Sequence, residues 1–415
     1  MNKYIALLKK RPAYRNLWLA SLVSMTGDWF NAIASMVIVS KFTHSGLAIS
    51  WILIARKLPI FLFAPIAGVF ADRFNRKTIL ITTDILRAGI VLSFLWVDRA
   101  ERVWLIYLLT TLQFIVSSFF EPAVSSILPS LVEGEKELLT ANVLGSVTWS
   151  AMLAVGSALG GLFTTLFGVQ AAIIVDGFTF LVSALLIFQI RFDRQTVPKP
   201  EKETTGFGDF VAGAKFVAQR PGVMLLATVK SFSQIASIDL IIVVLAQRYF
   251  AMNNQGTTAL GIFYTAAGIG AIIGPLIANN FVEDAKRRKL YAAVMFGFIF
   301  IFFGWTVIGM TQSLWVISLA IIIRTMGGSV NWMYSSVLIQ LEVPNQYLGR
   351  VFALDLAIFT LFASVFTWLQ GYALDNLNLE PSALINILSV VIIIPIVIWA
   401  ARIRHRNAQL KTNTT

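Results

Sequence analysis

Long apolar stretches recur along the whole chain, and each is about as long as a bilayer is thick. A helix needs about 20 predominantly apolar residues to span the hydrocarbon core, and twelve stretches of that kind are separated by short polar segments. They cover residues 17–40, 48–71, 78–97, 103–125, 141–163, 170–190, 223–247, 258–281, 290–310, 314–339, 351–372 and 384–401. The pattern predicts an all-α polytopic membrane protein with twelve transmembrane helices.

Composition supports this class and excludes several chemistries. Apolar residues make up 57% of the 415 residues and charged residues 13%, whereas a soluble protein carries about 25% charged residues. The sequence has no cysteine, which excludes disulfides, thiol nucleophiles and cysteine metal sites. Its two histidines, His44 and His405, have no ligand partner at metal spacing, and no Gly-Lys-Ser/Thr phosphate loop occurs. We therefore predict a protein that is not an enzyme, without a catalytic centre or a bound metal.

The net charge of +12 follows the predicted topology. Most of the 33 Lys and Arg residues lie in the two terminal segments and in loops on one side of the predicted membrane. Short cytoplasmic loops hold Lys and Arg, and such residues also favour anionic lipid headgroups. The charge therefore predicts a lipid bilayer as partner, no nucleic acid, and both termini in the cytoplasm. The basic start, residues 1–15, precedes an apolar stretch too long for a signal-peptide core, so we expect a retained first helix in the plasma (inner) membrane.

One polar segment divides the chain in the middle. Residues 191–222 contain Pro198, Pro200 and alternating charges, and apolar positions from Phe207 to Val217 recur at helical spacing. This pattern predicts a cytoplasmic linker with a short amphipathic helix on the inner membrane surface. The predicted domains are an N-terminal six-helix bundle (1–190), the linker (191–222), a C-terminal six-helix bundle (223–401) and a cytoplasmic tail (402–415).

The two halves also resemble each other in sequence. Ala64–Gly68 is echoed by Gly274–Ala278, and Ser125–Leu128 by Ser335–Leu338, at nearly the same offset along the chain. Each echo alone is weak, because apolar helices resemble one another. Together they predict two pseudo-symmetric six-helix bundles related as parallel repeats.

A charged loop between the second and third apolar stretches carries a recognisable pattern. It contains a glycine, an Asp-Arg pair and two further cations: Gly68, Asp72, Arg73, Arg76 and Lys77. The cations follow from the positive-inside rule, but Gly68 and Asp72 do not. The pattern resembles the loop between helices 2 and 3 of the major facilitator superfamily. Asn75 stands where that family has a second glycine, and we expect it to adopt the same left-handed turn.

Further segments narrow the resemblance to one branch of this family. They are Ser24–Trp29, Phe119–Ala123, Val175–Leu181 and Leu348–Phe352. In that order they are similar to the drug:proton antiporter branch that includes macrolide efflux proteins and the enterobactin exporter. The resemblance implies a secondary transporter that exports a small molecule by alternating access, driven by a proton gradient and without another cofactor. Nothing in the sequence requires an oligomer, so we expect a monomer.

The fifth apolar stretch carries a second family motif. Gly156, Gly160 and Gly161 resemble the antiporter motif of exporters, with Ser157 in place of its proline. Small residues also let helices approach closely, so plain packing is the competing interpretation.

The resemblance also implies a role for the charged loop. In the family, the loop aspartate sits at the start of helix 11 and a charge network holds the inner side closed. Carried onto this chain, that role falls to Asp72, with Arg73, Glu121 and Arg350 as expected partners. Fixed ion pairs are the competing interpretation, above all for Asp84 and Arg87, which lie one helical turn apart.

Charged residues inside predicted spans are the candidates for function, because a charge near the bilayer centre costs about 2.5–3.5 kcal/mol and needs a cavity or a partner. Asp28 is the first candidate for proton coupling, with Arg56 as its switching partner, and Glu121 and Asp239 are further candidates. We expect Asp176 to be structural. The family's helices 1, 4, 7 and 10 line the central cavity, which makes the following residues cavity candidates: Lys230, Arg324, Asn331 and Trp332.

Three functions compete at this stage. The first is proton-coupled export of an amphipathic or hydrophobic small molecule. The second is an uncoupled facilitator or flippase for a lipid-like or siderophore substrate. The third is a membrane sensor that has lost transport, which would predict a larger soluble segment than residues 191–222 supply.

Overall fold

The computed structural model describes residues 2–43, 45–190, 213–251, 256–282 and 287–412, and these ranges contain helices and no strand. Besides three short 3₁₀ turns, they contain the following helices: α1 (Asn2–Lys10), α2 (Pro12–Thr43), α3 (Gly46–Arg73), α4 (Arg76–Leu92), α5 (Trp104–Ile127), α6 (Gly134–Phe188), α7 (Pro221–Ile235), α8 (Asp239–Tyr249), α9 (Thr257–Val282), α10 (Arg287–Gly309), α11 (Leu314–Glu342), α12 (Asn345–Asp375), α13 (Pro381–Val391) and α14 (Ile393–Thr412).

The predicted all-α membrane fold is confirmed. Eleven stretches of the described residues are long and apolar enough to cross a membrane, and one of them, Lys136–Phe188, has 53 residues. Within that stretch Gly168 has φ 85° and ψ 167°, outside the helical region, in a conformation that only glycine adopts readily. Gly168 separates the predicted spans 141–163 and 170–190, and with this division the predicted twelve spans are accounted for.

The predicted span 223–247 is not one continuous helix. α7 ends at Ile235 and α8 begins at Asp239, and Ala236 between them has φ −106° and ψ 64°. The sequence contains neither proline nor glycine at this point, so local propensity alone did not indicate the break. Its cause is tertiary and lies in the side chain that binds the freed carbonyl groups, described below.

Both ends of the chain contain more helix than predicted. The first membrane helix begins at Pro12, a residue favoured at the first helical position, and the short α1 precedes it with Leu7 buried. The last predicted span, 384–401, is divided at Ile392 into α13 and α14, and helix continues to Thr412 through most of the predicted tail. Of the predicted amphipathic helix in the linker, Phe207 lies outside the described residues, whereas residues 213–218 are helical.

The first compact unit comprises the described residues of Met1–His44, Trp51–Gly208 and Ala251–Ile262. In it α2 packs along α6, and α4 packs against α5 and α6. Glycines allow the close approach of α2 and α6. A Cβ atom on Gly27 would collide with Thr179 and Asp176, and a Cβ on Gly156 would lie 2.7 Å from Trp29 Cδ1.

The second compact unit comprises the described residues of Ser45–Ser50, Asp209–Phe250 and Phe263–Thr415. Here α10 packs against α11, α13 and α14, and α7 packs against α11 and α12. Trp305, Trp399 and Tyr291 are among its largest fully buried side chains. The indole N–H of Trp399 donates to the Tyr291 carbonyl over 2.8 Å, and the two rings stack 5.3 Å apart.

Two short segments belong to a different unit from the predicted bundle that contains them, and close packing explains both. Ser45–Ser50 joins the second unit because the Ser50 hydroxyl donates to the Thr367 carbonyl over 2.9 Å. Ala251–Ile262 joins the first because a Cβ on Gly161 would lie only 2.6 Å from the Gly261 Cα.

Candidate functional site

A cluster of charged and polar side chains lies inside the first unit, where four helices bring it together. We call it the carboxylate cluster, and it consists of Asp28 on α2, Asp84 and Arg87 on α4, Gln113 on α5 and Ser183 on α6. Arg87 Nη2 donates to both oxygens of Asp28, at 2.9 and 3.1 Å, and Arg87 Nη1 lies 3.6 Å from Asp84 Oδ1. One guanidinium therefore binds two carboxylates.

Further contacts hold the members of the cluster in place. Gln113 Nε2 donates to Asp28 Oδ1 over 3.4 Å, and the Ser183 hydroxyl donates to Asp84 Oδ2 over 2.6 Å. The guanidinium carbon of Arg87 lies 4.0 Å from the centroid of the Phe180 ring, a cation–π arrangement. The arginine is thus fixed by charge, by hydrogen bonds and by an aromatic face.

The two carboxylates differ in their access to the surroundings. The Asp84 side chain is fully buried, whereas the Asp28 side chain is 27% exposed. Asp28 is therefore the more accessible of the two carboxylates, and Asp84 is the enclosed one. The cluster holds two carboxylates and one cation, Arg87.

Asp28 is bound to Arg87 on α4. Arg56 on α3 stays the predicted switching partner of Asp28. The Arg56 guanidinium carbon lies 4.8 Å from the centroid of the Phe114 ring. Asp84 and Arg87 do contact each other, as the alternative of an ion pair within one helix predicts. That alternative accounts for only one of the two carboxylates that Arg87 binds.

Two further acids of the first unit lie near this cluster. Glu121, exposed on α5, interacts electrostatically with Arg87 and Asp28. Asp176, fully buried on α6, accepts a hydrogen bond from the Thr179 hydroxyl over 3.3 Å. The predicted proton-coupling candidates Asp28 and Glu121 are thus neighbours, whereas the third acid candidate, Asp239, lies in the second unit.

The second unit has its own buried ion pair. Lys230 on α7 donates to Asp355 Oδ2 on α12, and both side chains are buried. The ammonium lies 4.5 Å from the centroid of the Trp332 ring and 5.6 Å from that of Phe352. Of the cavity candidates, Lys230 and Trp332 are therefore in direct contact.

Arg324 on α11 is the side chain that stabilises the break between α7 and α8. Its Nη2 donates to the Ala236 carbonyl over 2.7 Å and to the Ser233 carbonyl over 3.4 Å. The last carbonyls of a helix have no partner within that helix, and here a buried guanidinium supplies one. Asp239, the first residue of α8, interacts electrostatically with Arg324, and an acid there favours the helix N-terminus. Asn331, also fully buried, donates to the Ser233 hydroxyl over 3.4 Å.

The two described cations of the charged loop bind the ends of neighbouring helices. Arg76 Nη1 donates to the Ser126 carbonyl near the end of α5, over 2.9 Å. Lys77 Nζ donates to the Phe188 and Ile190 carbonyls at the end of α6, each over 2.7 Å. Cations are favourable at helix C-termini, so both side chains fasten the loop to the first unit.

Asn75 in this loop does not adopt the expected left-handed turn. Its φ of −64° and ψ of 114° are extended, and its side chain accepts hydrogen bonds from the Lys77 and Thr78 N–H groups. Asparagine stands at this position as the N-cap of α4, which explains it better than tolerance of positive φ. Gly68, Asp72 and Arg73 lie within α3, and their side-chain positions are outside the described part of the chain. Arg350 lies 5.7 Å over the Tyr347 ring and directly against Gly213.

The glycine motif on α6 lies in close helix contacts. Gly156 and Gly160 face Trp29 of α2, and Gly161 faces Gly261 of α9. These are contacts that residues with larger side chains would prevent. Packing therefore accounts for all three positions.

Sequence reasoning missed several members of these clusters. Gln113 and Ser183 were not identified from the sequence, and Asp355 was not paired with Lys230. Each is a polar residue inside an apolar span, which was the available signal, but partner identity depends on which helix faces meet. Within the described residues no group of three potential metal ligands occurs.

Comparison with known proteins places these observations in a family. Residues 17–366 match the family described as the Major Facilitator Superfamily. The MFS-type transporter YfiS of Bacillus subtilis (strain 168) is 26% identical over 361 residues, covering 83% of this chain and 84% of that protein. A putative bacilysin exporter, BacE, of the same strain is 25% identical, covering 86% and 87%. Macrolide efflux protein A of Streptococcus pyogenes is 23% identical over 394 residues, covering 92% and 95%.

Solved structures show the same fold at low sequence identity. The nucleoside transporter NupG superposes with a TM-score of 0.70 at 12% identity, covering 94% of this chain and 98% of that one. A bacterial homologue of the iron transporter ferroportin superposes with a TM-score of 0.71 at 14% identity, covering 94% and 98%. The expected resemblance to macrolide efflux proteins is confirmed, and the chain is an integral membrane protein that belongs to the Major Facilitator Superfamily.

Proposed function

We propose that this protein exports an amphipathic or hydrophobic small molecule and that proton influx drives the export. Two kinds of observation support the proposal. Relatives matched over most of the chain are named as a bacilysin exporter and as a macrolide efflux protein. The carboxylate cluster contains a partly exposed carboxylate, Asp28, bound to a buried arginine, and this observation carries the proton-coupling proposal.

The cluster suggests how a proton could change the structure. Asp28 lies on α2, whereas Arg87 and Asp84 both lie on α4. A proton on Asp28 removes its charge and weakens its bond to Arg87, which then retains Asp84 as its remaining carboxylate partner. The link between α2 and α4 is thus strong without the proton and weak with it. A state-dependent interaction of this kind supplies the free-energy difference that alternating access needs.

The proposal includes the arrangement expected from the sequence. Two six-helix bundles, residues 1–190 and 223–401, alternate access around the transport path, with residues 191–222 as a cytoplasmic linker and 402–415 as the tail. The charged loop with Gly68, Asp72, Arg73, Arg76 and Lys77, together with Arg350, acts as the inner gate. The protein is a monomer in the plasma (inner) membrane with both termini in the cytoplasm, it uses a proton gradient and no other cofactor, and it is not an enzyme.

A pH-gradient assay tests the proposal. The purified protein is reconstituted into liposomes that contain a pH dye, and a proton gradient is imposed. Lipophilic cations, macrolides, siderophores and lysolipids are screened for proton release. Asp28→Asn is compared with wild type and with Asp98→Asn, a matched control because Asp98 is an exposed aspartate outside the spans. Size-exclusion profiles check that each variant is folded.

Each outcome decides between the candidate functions. A compound that releases protons with wild type and Asp98→Asn, but not with Asp28→Asn, supports coupled export through Asp28. A compound that crosses the membrane without proton movement contradicts coupling and favours the facilitator or flippase. Proton release that survives Asp28→Asn excludes Asp28 as the carrier and makes Glu121 and Asp239 the next positions to change.

A further inference from the structure

Lys230 occupies a site in the second unit that is built to hold a cation. Its ammonium is bound to the Asp355 carboxylate and lies over the rings of Trp332 and Phe352. A carboxylate combined with aromatic faces is the chemistry by which proteins bind organic ammonium ions. The cation that fills the site is a side chain of the protein itself.

The site has binding capacity that Lys230 does not use. Asp355 binds Lys230 through Oδ2, and its other oxygen, Oδ1, is buried without a hydrogen-bond partner among the described residues. Lys230 is 5% exposed and Asp355 1%, but Trp332 is 45% exposed. One wall of the site therefore reaches the surface of the unit, while the carboxylate lies at its base.

The chemistry of the ion pair permits exchange. Desolvation offsets much of the attraction in a buried ion pair, so such a pair contributes little net stability. Removing one partner alone is costly, because it leaves an unpaired buried charge. A ligand cation that replaces the Lys230 ammonium keeps Asp355 paired, and the displaced ammonium avoids this cost by moving on its side chain to the exposed side of the site, where water solvates it. Lysine suits the exchange, because its ammonium sits on a flexible four-carbon chain.

We infer that Asp355, Trp332 and Phe352 form a binding site for the ammonium group of an amphipathic amine, with Lys230 as the resident cation that the ligand displaces. The inference rests on the proposed export function and narrows its substrate class to amphipathic organic cations. An apolar ligand body is matched by the rings of Trp332 and Phe352 beside the ion pair. The competing interpretation is a fixed structural ion pair, and the following experiment separates the two.

Equilibrium binding to the purified full-length protein tests the inference without any gradient. The probe is ethidium, a fluorescent quaternary ammonium, and the comparison dye is N-phenyl-1-naphthylamine, which is apolar and neutral at pH 7. Lys230→Met removes the resident cation at similar side-chain volume. Lys289→Met is the matched control, because Lys289 is an exposed lysine of the same unit. Lys230→Met combined with Asp355→Asn removes both charges.

The inference makes a directional prediction for each variant. When a side chain of the protein occupies a site part of the time, only the unoccupied fraction of the protein can bind a ligand. The apparent affinity for the ligand is therefore lower than the intrinsic affinity. Lys230→Met is therefore expected to bind ethidium at least about tenfold more tightly than wild type, and Lys289→Met as wild type does. The double variant is expected to lose this gain, and binding of the neutral dye is expected to be unchanged in all variants.

A further variant covers the case in which Lys230→Met does not fold. Trp332→Phe retains an aromatic ring but weakens the cation–π contact, because tryptophan is the strongest of the aromatic residues in this interaction. It is expected to weaken ethidium binding several-fold relative to wild type.

Two results overturn the inference. One is ethidium affinity in Lys230→Met that is no greater than in wild type, or that persists in the double variant. The other is wild-type ethidium binding in Trp332→Phe. These results are separable from the export proposal, because the pH-gradient assay with Asp28→Asn tests coupling in the first unit, whereas this experiment measures only binding in the second.

Discussion

The carboxylate of Asp375, at the end of α12, caps the helix that begins at Gly46. Asp375 Oδ1 accepts from the Gly46 N–H over 3.0 Å, and Oδ2 accepts from the Leu47 N–H over 2.8 Å and from the Ser45 hydroxyl over 2.5 Å. The first N–H groups of a helix have no partner within the helix, and a negative charge is favourable there. One side chain thus joins segments more than 300 residues apart within the second unit.

Removal of this cap is expected to destabilise the protein. Asp375→Ala should lower the free energy of unfolding by about 1–2 kcal/mol, the usual cost of losing an N-cap. Thermal unfolding in detergent at a fixed scan rate measures it. Asp98→Ala, at an exposed surface ion pair, is expected to change stability by less than about 1 kcal/mol. Equal losses of unfolding free energy in the two variants would show that the cap contributes no more to stability than an exposed ion pair does.

Arg87 is expected to be essential for the stability of the first unit. Arg87→Met leaves the carboxylates of Asp28 and Asp84 without their shared cation, and breaking a buried ion pair in this way costs about 3–5 kcal/mol. Adding Asp84→Asn should recover part of the loss, because it removes the most buried uncompensated charge. Thermal unfolding and size-exclusion profiles measure both effects.

The control for this prediction is Arg102→Met. Arg102 also pairs with an aspartate, Asp98, but on the exposed surface, where ion pairs contribute at most about 1 kcal/mol. Similar stability of Arg87→Met and Arg102→Met would falsify the central role of Arg87.

Two glycines of α6 are expected to respond in opposite directions to alanine. A Cβ on Gly161 would lie 2.6 Å from the Gly261 Cα, whereas a Cβ on Gly145 would have no heavy atom within 4 Å. Gly161→Ala should cost about 1–3 kcal/mol through overpacking. Gly145→Ala should stabilise the helix by up to about 1 kcal/mol, because alanine has the higher helix propensity. Thermal unfolding of the two variants, measured side by side, tests both expectations. Unchanged stability in Gly161→Ala would mean that the contact between Gly161 and Gly261 can widen without cost.

A partly exposed ion-pair cluster of Arg11, Glu133 and Glu137 is expected to contribute a pH-dependent term to stability. Arg11 donates to Glu133 Oε1 over 2.7 Å and to Glu137 Oε2 over 2.9 Å, and the Arg11 guanidinium holds the pKa of Glu133 below its usual value. A carboxyl whose pKa is lower in the folded state stabilises that state above its unfolded pKa of about 4.3. The contribution is lost as the pH falls through the lowered folded value.

The measurement compares melting temperatures of wild type and Arg11→Met from pH 7 to pH 3. Wild type should be the more stable at pH 7, and the difference should shrink below about pH 4.3 as the carboxyls bind protons. In a background with Glu133→Gln and Glu137→Gln, the effect of Arg11→Met should no longer depend on pH. A difference that grows on acidification would contradict the assignment of Arg11 as the cause.

The membrane fold could be predicted from the sequence, and the pairing of the charges could not. Asp28 and Lys230 were recognisable because each is a charge in an apolar span, and that signal is local. Their partners Arg87 and Asp355 lie 59 and 125 residues away. Asp84, one turn before Arg87, offered a local partner, and only the packing of both α2 and α4 against α6 showed that Arg87 also reaches Asp28.

Asn75 was correctly matched to a position of the family pattern, but the predicted reason for an asparagine there was wrong. The family pattern has glycine there, and a left-handed turn was the simplest reason for asparagine to replace it. The backbone is extended instead, and the side chain caps α4. Both explanations use known properties of asparagine, and only the backbone angles distinguish them.

The sequence alone determined that this protein is a helical membrane protein with twelve spans, because the transfer of each residue from water to lipid is a local property that accumulates along an apolar stretch. Its family was indicated by the resemblance of the loop around Asp72 and not by hydropathy. The tertiary structure decided where helices break and which charges meet. The break between α7 and α8 depends on Arg324 of α11, the cation site depends on the meeting of α7, α11 and α12, and the cap of α3 depends on Asp375. These features arise from contacts between helix faces distant along the chain, and local hydropathy carries no information about which faces meet.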